Sequence, residues 1–433
     1  MVPIYSLIPF ILMLISIAVI PVVSEKFWDS NRNKLIISLI LGIPAIIWLL
    51  LNGLTHELEH ALLFDYVPFI ILLFGLFVVT GGIFVDGDIE AKPKNNTILL
   101  IIGTVLASFM GTTGAAMLLI RTLIKINSER KHKAHSVMFF IATVANAGGL
   151  LTPIGDPPLF MMYLRGVPFD WFFRLAPEWF LTNSLLLIIY FFVDRYYYAK
   201  EDKDRIERDK KELQPIKIVG NLNFLWLVGI VLAVAFINPN YFPVFKENHY
   251  LTFSREAVIL VFAGLSMLLT NKAIRKANNF NWHPIEEVAF LFFGIFSTMV
   301  PAIVYLEHHA SEFGISSPFS FYYSTGILSA FLDNTPTAVT FYSLALGLVN
   351  EFPQQFAGMD LIAGIPISIM IAISLSSVFF GGMSYIGNGP NFMVKAIAEK
   401  EGVPMPHFFA YIYKFSLIYL LPIFILVQLL FVW

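Results

Sequence analysis

The 433-residue chain contains no cysteine, and Asp, Glu, Lys and Arg together make up only 13% of it. The first absence removes disulfide scaffolds, thiolate metal sites, iron–sulfur clusters and cysteine nucleophiles. The second removes a water-exposed surface. Soluble globules carry about 25% charged residues, and a chain this long with half that share cannot cover itself in water. Net charge is −2, with no basic tail or patch, which excludes nucleic-acid binding. Apolar residues fill the chain instead: 57% are hydrophobic, 43 are Phe, and mean hydropathy is +0.74. This is the composition of an integral membrane protein whose solvent is mostly lipid.

Runs of about 20 apolar residues span a bilayer as helices. They occur near 4–22, 34–52, 65–85, 172–193, 221–237, 253–270, 286–306 and 407–432. No basic stretch precedes the first run, which therefore reads as a membrane helix and not as a cleaved signal. Four longer stretches are interrupted. They are 97–126 (broken at Gly111-Thr112-Thr113-Gly114), 135–165 (broken at Gly148–Pro158), 318–350 (broken at Asp333–Pro336) and 361–394 (broken at Gly381–Pro390). The distribution of Lys and Arg tests how these cross. If 97–126 and 318–350 are re-entrant hairpins and all else crosses, only Arg165, Arg174, Lys246 and Arg255 of the 28 basic residues fall outside. The expected fold is an all-α polytopic membrane protein with about ten full crossings plus two hairpins and both termini outside. The polar stretch 194–220 reads as a solvated, amphipathic cytoplasmic connector between halves 1–193 and 221–433.

The halves match each other. Gly148-Gly149 with Ile154-Gly155-Asp156-Pro157-Pro158 aligns with Gly381-Gly382 and Ile386-Gly387-Asn388-Gly389-Pro390. Beyond them, Gly166-Val167-Pro168 aligns with Gly402-Val403-Pro404, and upstream Phe109–Ala116 aligns with Phe331–Ala338. The topology starts 65–85 outside and its partner 286–306 inside, so the repeats are inverted. Inverted repeats with paired broken helices point to a secondary transporter with its site where the breaks meet.

The breaks carry the chemistry. Irregular backbone at membrane depth is tolerated only where protein or a wet cavity satisfies it. Proline lacks a donor, so Pro157, Pro158, Pro336 and Pro390 would free the carbonyls of Pro153, Ile154, Leu332 and Ile386. Free carbonyls with Thr, Asn and Asp oxygens suit a hard cation. Asp156 and Asp333 are ionisable residues at membrane depth, which are costly and functional by default. A carboxylate there can hold a cation or take up a proton in its place, which gives exchange by competition. The alternative is structural: Asp156-Pro157 and Asn388-Gly389-Pro390 look like an N-cap followed by a helix-starting proline. Near Asp333, Thr335 is the expected cap. Asn334, Thr335, Thr337, Asn388 and Asn391 would complete coordination, with Thr112, Thr113, Asn146, Thr152 and Ser384 in support. Glu286 and Glu287 read as a helix start, Glu307 to His309 and Asp86 to Asp88 as loops. His56-Glu57-Leu58-Glu59-His60 matches the zinc-protease spacing, but no third ligand accompanies it and it reads as an acidic loop. No cofactor is expected.

Ser329–Pro336 resembles the Asp-Asn-x-Pro hairpin of the NhaD-type sodium/proton antiporters. Ala145-Asn146-Ala147-Gly148-Gly149 with Pro153-Ile154-Gly155-Asp156 resembles a second stretch of that family. Gly381-Gly382 with Ile386–Asn391 is similar to a loop of the divalent-anion/sodium symporters. All belong to the ion transporter superfamily, which includes citrate carriers. The resemblance implies a homodimer in a prokaryotic inner membrane, and an elevator-like movement of the hairpins and broken helices. The dicarboxylate symporters carry Ser-Asn-Thr at both hairpin tips, where this chain has Gly111-Thr112-Thr113 and Asp333-Asn334-Thr335. The Asp156-Pro157-Pro158 run departs from NhaD toward the citrate-carrier branch. The expectation is an Na+ (or Li+)/H+ antiporter and no enzyme; the alternative is an Na+- or H+-coupled citrate/dicarboxylate symporter.

Overall fold

A computed structural model describes residues 2–211 and 213–433. Backbone in lipid must satisfy its own N–H and C=O groups, so the apolar runs become helices. The first half holds α1 (Ile8–Val23), α2 (Asn31–Leu51), α3 (Thr55–Thr80), α4 (Pro93–Met110), α5 (Thr112–Ile126), α6 (Ala134–Thr143), α7 (Pro157–Leu164) and α8 (Ala176–Tyr198). A polar helix, α9 (Lys203–Lys211), follows. The second half holds α10 (Leu222–Phe236), α11 (Phe253–Leu269), α12 (His283–His308), α13 (Pro318–Phe331), α14 (Asn334–Glu351), α15 (Ile367–Gly381), α16 (Gly389–Lys400) and α17 (Phe408–Phe431). Among the described residues, eight helical stretches are long and apolar enough to cross a membrane, and α10 and α15 are shorter apolar helices. These correspond to the ten segments read from hydropathy, and the chain is an all-α polytopic membrane protein.

The four interrupted stretches are interrupted more sharply than their composition suggests. Helices α4 and α5 pack on each other and are joined by Gly111 alone, at φ +80°, while Thr112, Thr113 and Gly114 are already helical. Between α6 and α7 lies a 3-10 turn, Ala147–Leu151, and then irregular chain to Asp156. Stretch 361–394 does not start as a helix. Leu361–Ile362 and Ile365–Pro366 form a small antiparallel ribbon, turning at Ala363 (φ 46°) and Gly364 (φ 83°). The prolines start helices and do not break them: Pro157 and Pro390 sit in the first turns of α7 and α16, and Pro336 lies in that of α14. Residues 153, 154, 332 and 386 precede those helices, so no helical hydrogen bond to their carbonyls is lost to a proline ring.

Packing interlaces the halves. The pair α1 and α2 packs on α12, and the pair α10 and α11 packs on α3. Each pair belongs to one half by sequence and to the other by contact. Small residues let the α2–α12 backbones approach: a Cβ on Gly294 would meet Ser38 and Met13, and one on Gly42 would meet Ser297. At the α3–α12 crossing the rings of Phe69 and Phe292 lie 4.7 Å apart. The hairpins and broken helices form a second body, with α5 on α16 and α14 on α7. The seam between the bodies is made by α12 against α14 and by α3 against α5.

The stretch after 194 is more than a solvated linker. Asp194 is fully buried and accepts from Arg130 (2.6 Å), His135 (2.8 Å) and Asn96 (3.1 Å). Glu201 accepts the Lys131 and His132 amides, and Asp209 accepts the Ala91 amide. Buried acids need such partners. Strand β1 (Phe84–Asp88) pairs antiparallel with β2 (Gln214–Val219), so Asp86 and Asp88 lie in a strand and not in a loop. Lys125 reaches Asp86 at 2.9 Å. The His56–His60 stretch is also not a loop. Thr55–Glu59 is α-helical and runs into a π turn over His60–Tyr66, with Glu59 accepting the Tyr250 hydroxyl. Among the described residues no three His, Asp or Glu side chains gather as a metal site. Glu307 and His308 end α12.

Candidate functional site

The two breaks and the two hairpin tips meet. Asp156 has extended backbone (φ −137°, ψ 142°) and stands at the N-cap position of α7, with Pro157 starting the helix. Its carboxylate makes no capping bond. It is fully buried and accepts from three side chains on three other elements. Thr112 Oγ1, from the first hairpin tip, donates at 2.8 Å to Oδ1. Asn388 Nδ2, from the second break, donates at 3.1 Å to the same oxygen. Asn334 Nδ2, from the second hairpin tip, donates at 2.6 Å to Oδ2.

Asn388 behaves as its aligned partner does. It stands at the N-cap position of α16 (φ −150°, ψ 138°) without capping it. Its amide reaches Asp156, Asn146 Oδ1 (3.1 Å) and the Ala145 carbonyl (3.2 Å). Asn146 donates to Asn391 Oδ1 (2.7 Å), and Asn391 donates to the Gly381 and Ser384 carbonyls (2.8 Å each). The cross-links between the halves are thus carried by Asn side chains.

Asp333 is different. It is half-buried, and its Oδ1 accepts the Thr335 backbone N–H at 3.0 Å, a true N-cap for α14. Thr335 is not the cap; its hydroxyl lies 3.4 Å from Asn334 Oδ1. Asp333 flanks the cluster nonetheless, because the next residue, Asn334, is the one that bonds Asp156. Thr337 donates back to the Asp333 carbonyl at 2.9 Å, one helical turn away.

A backbone scaffold recurs in both halves. The residue after each hairpin tip donates its N–H to the glycine just before the break's polar residue: Thr112 to the Gly155 carbonyl (2.8 Å), and Asn334 to the Gly387 carbonyl (3.1 Å). A hydroxyl in each break donates to a carbonyl three residues before each tip: Thr152 to Ser108, and Ser384 to Ala330. Ser384 also accepts the Ile386 and Gly387 amides. Gly155 and Gly387 permit this approach. A Cβ on Gly155 would strike the Gly149 carbonyl, and one on Gly387 would lie 2.6 Å from the Ser329 carbonyl.

The site therefore gathers Asp156, Thr112, Asn334, Asn388, Asn146 and Asn391, with Asp333 and Thr335 beside it. Thr152, Ser384 and Thr337 hold backbone, and Thr113 is half-buried in the first turn of α5. The carbonyls of Gly155, Gly387 and Ala145 were missed as parts of the site, although the Ile-Gly pair preceding Asp156 and Asn388 repeats in both halves.

Every donor to Asp156 is neutral, and among the described residues no Lys, Arg or His bonds to the cluster. An amide is two-sided: turned one way it donates to a carboxylate, turned the other it offers an oxygen. The carboxylate, the Thr112 hydroxyl and amide oxygens of Asn334 and Asn388 make an all-oxygen set of the kind hard cations take. A protonated Asp156 would instead donate to one of those amide oxygens. A cavity of about 370 Å³ lies elsewhere, near the β1 strand and the end of α5, with Arg121, Lys125, Lys133, Asp86 and Glu401 in its wall.

The chain is 23% identical over 401 residues to the uncharacterized transporter Rv2685 of Mycobacterium tuberculosis (strain H37Rv), a match covering 87% of this chain and 80% of that one. It is 24% identical over 362 residues to the uncharacterized transporter Mb2703 of Mycobacterium bovis, covering 78% and 79%. Residues 1–432 match a family described as "Putative citrate transport". With the whole chain matched and two hairpins meeting two broken helices at a buried acid, this membrane transporter belongs to that family, CitMHS_2.

Proposed function

We propose that the protein is a secondary active transporter that exchanges Na+ or Li+ for H+ at Asp156. The observation that carries this reading is a fully buried carboxylate ringed by neutral side chains that can each present an oxygen. A bare negative charge at membrane depth is costly. It is neutralised by a bound cation or by a proton, and not by both, so occupancy by one expels the other. Asn334 and Asn388 serve both states by turning their amides. Asp333 adds negative potential beside the site while capping α14. The seam of α12 with α14 and α3 with α5 supports movement of the hairpins and broken helices as one body past the rest. The two halves, 1–193 and 221–433, act as inverted repeats around the site. The setting is a prokaryotic inner membrane, with both termini outside and the chain paired as a homodimer.

A second reading, Na+- or H+-coupled transport of citrate or a dicarboxylate, is favoured by the family's description. In that case the cluster at Asp156 is the coupling-ion site. Proteoliposomes with a trapped pH dye and an imposed proton gradient separate the two. Addition of NaCl without any carboxylate is expected to move protons, KCl much less. No response to NaCl, followed by uptake of labelled citrate in the same vesicles, would replace the first reading with the second.

A further inference from the structure

Helix α8 carries a second set of buried oxygens that the exchange site does not use. Glu178, Thr182 and Asn183 are 6%, 0% and 2% exposed. Glu178 Oε2, Thr182 Oγ1 and Asn183 Oδ1 have no hydrogen-bond partner among the described residues. Glu178 and Thr182 are one helical turn apart and share a face. Asn183 directs its amide N–H groups to the Ala147 and Trp179 carbonyls (3.3 and 2.9 Å), which leaves its oxygen free on the other side. The Trp171 indole N–H, in the 3-10 turn packed on the start of α8, is unpartnered among the described residues too. The charged residues of that turn, Asp170 and Arg174, are exposed, and among the described residues Glu178 has no ion-pair partner; its carboxyl accepts its own backbone N–H, which leaves Oε2 free.

The second half lacks this arrangement. By the Gly166–Gly402 alignment, the position matching Glu178 is Lys414, which is exposed. The hydroxyls of α17 that face the other break are all bonded: Tyr411 to the Gly382 carbonyl (2.9 Å) and Ser416 to the Met383 carbonyl (2.8 Å). The unpartnered oxygens of α8 are therefore not a general result of packing this helix on a break. A buried carboxyl with no counter-ion is held neutral by a proton or by a bound cation.

We propose that Glu178, Thr182 and Asn183 form a second site for a hard monovalent cation of the Na+ class, with a proton as its alternate occupant. This rests on the cation-exchange reading of the Asp156 cluster. The two sites share a turn. Asn183 holds Ala147, and the adjacent Asn146 accepts from Asn388, which bonds Asp156. Filling one site thus biases the backbone that shapes the other.

Carbodiimide modification of the full-length protein in proteoliposomes tests this, because the reagent attacks protonated carboxyls in apolar surroundings. Trypsin separates the candidates: peptide 134–165 holds Asp156 as its sole acid, and peptide 175–195 holds Glu178 and Asp194, which fragmentation resolves. Glu178 is expected to be modified at low Na+ and protected by NaCl but not by choline chloride. Thr182→Val is expected to raise the Na+ needed for protection several-fold. Glu178→Gln is expected to make the Na+ dependence of exchange shallower. The proposal is overturned if Glu178 is unmodified, or is modified equally with and without NaCl, while Asp156 in the same sample is Na+-protected. Loss of Na+ protection at Asp156 itself would instead strike the exchange reading.

Discussion

Asp156 and Asp333 stand at the same place in a helix and do opposite things. Each precedes the first turn of a half-helix, one beside the first break and one at the second hairpin tip. Asp333 caps its own helix. Asp156 leaves its helix uncapped and accepts from two hairpins and the other break. An uncapped N-terminus costs about 1 kcal/mol. A structure that forgoes that bond for three bonds across the molecule has committed the carboxylate to the assembly. The difference separates a central acid from an auxiliary one.

The sharpest way to break this comparison is to neutralise each acid in turn. Asp156→Asn is expected to reduce Na+-driven proton movement to the level of protein-free vesicles, with an unchanged elution profile in detergent. Asp333→Asn keeps a good cap and removes only the neighbouring charge. Its expected loss is about tenfold in apparent Na+ affinity, the size of an outer-shell change at a metal site. Equal, complete loss in both variants would mean that the two acids form one centre. Asp333→Ala adds the loss of the cap, so it is expected to lower stability by about 1 kcal/mol relative to Asp333→Asn, seen as a lower melting temperature in detergent. Asp156→Ala set against Asp156→Asn carries no such capping difference. The smallest effect is expected at Thr337→Val. That hydroxyl only donates back to the Asp333 carbonyl, so exchange should be unchanged. A large loss there would make Thr337 a ligand.

Much of the architecture was legible because lipid enforces it: an apolar run long enough to span has little choice but to be a helix. The breaks were legible because the two halves repeat Ile-Gly before Asp156 and before Asn388, and the hairpins because their interruptions fit the Lys and Arg distribution. The role of each acid was not legible. Asp156-Pro157 and Asp333-Asn334 both look like caps. What decides between them lies 44, 178 and 232 positions from Asp156, at Thr112, Asn334 and Asn388. The connector was legible only in part, for a related reason. Most of it is exposed, as its composition implies, but Asp194 and Asp209 are covered by residues such as Asn96 and Ala91, 98 and 118 positions away. The exchange of helix pairs between halves left no mark either, since an apolar face does not name its partner.

That exchange has a consequence for how the protein is made. Helices α1 and α2 are made well before the helix they pack on, α12, which begins at His283. At the usual 5–20 residues per second of synthesis, α2 waits on the order of tens of seconds before its partner emerges. Through that interval the faces carrying Ser38 and Gly42 have only lipid or the insertion machinery against them. A ribosome that stops after the first half leaves one helix pair without its partner and α3 without the pair that covers it. The two halves are therefore not separable modules, and quality control has a long window in which to inspect an unfinished chain.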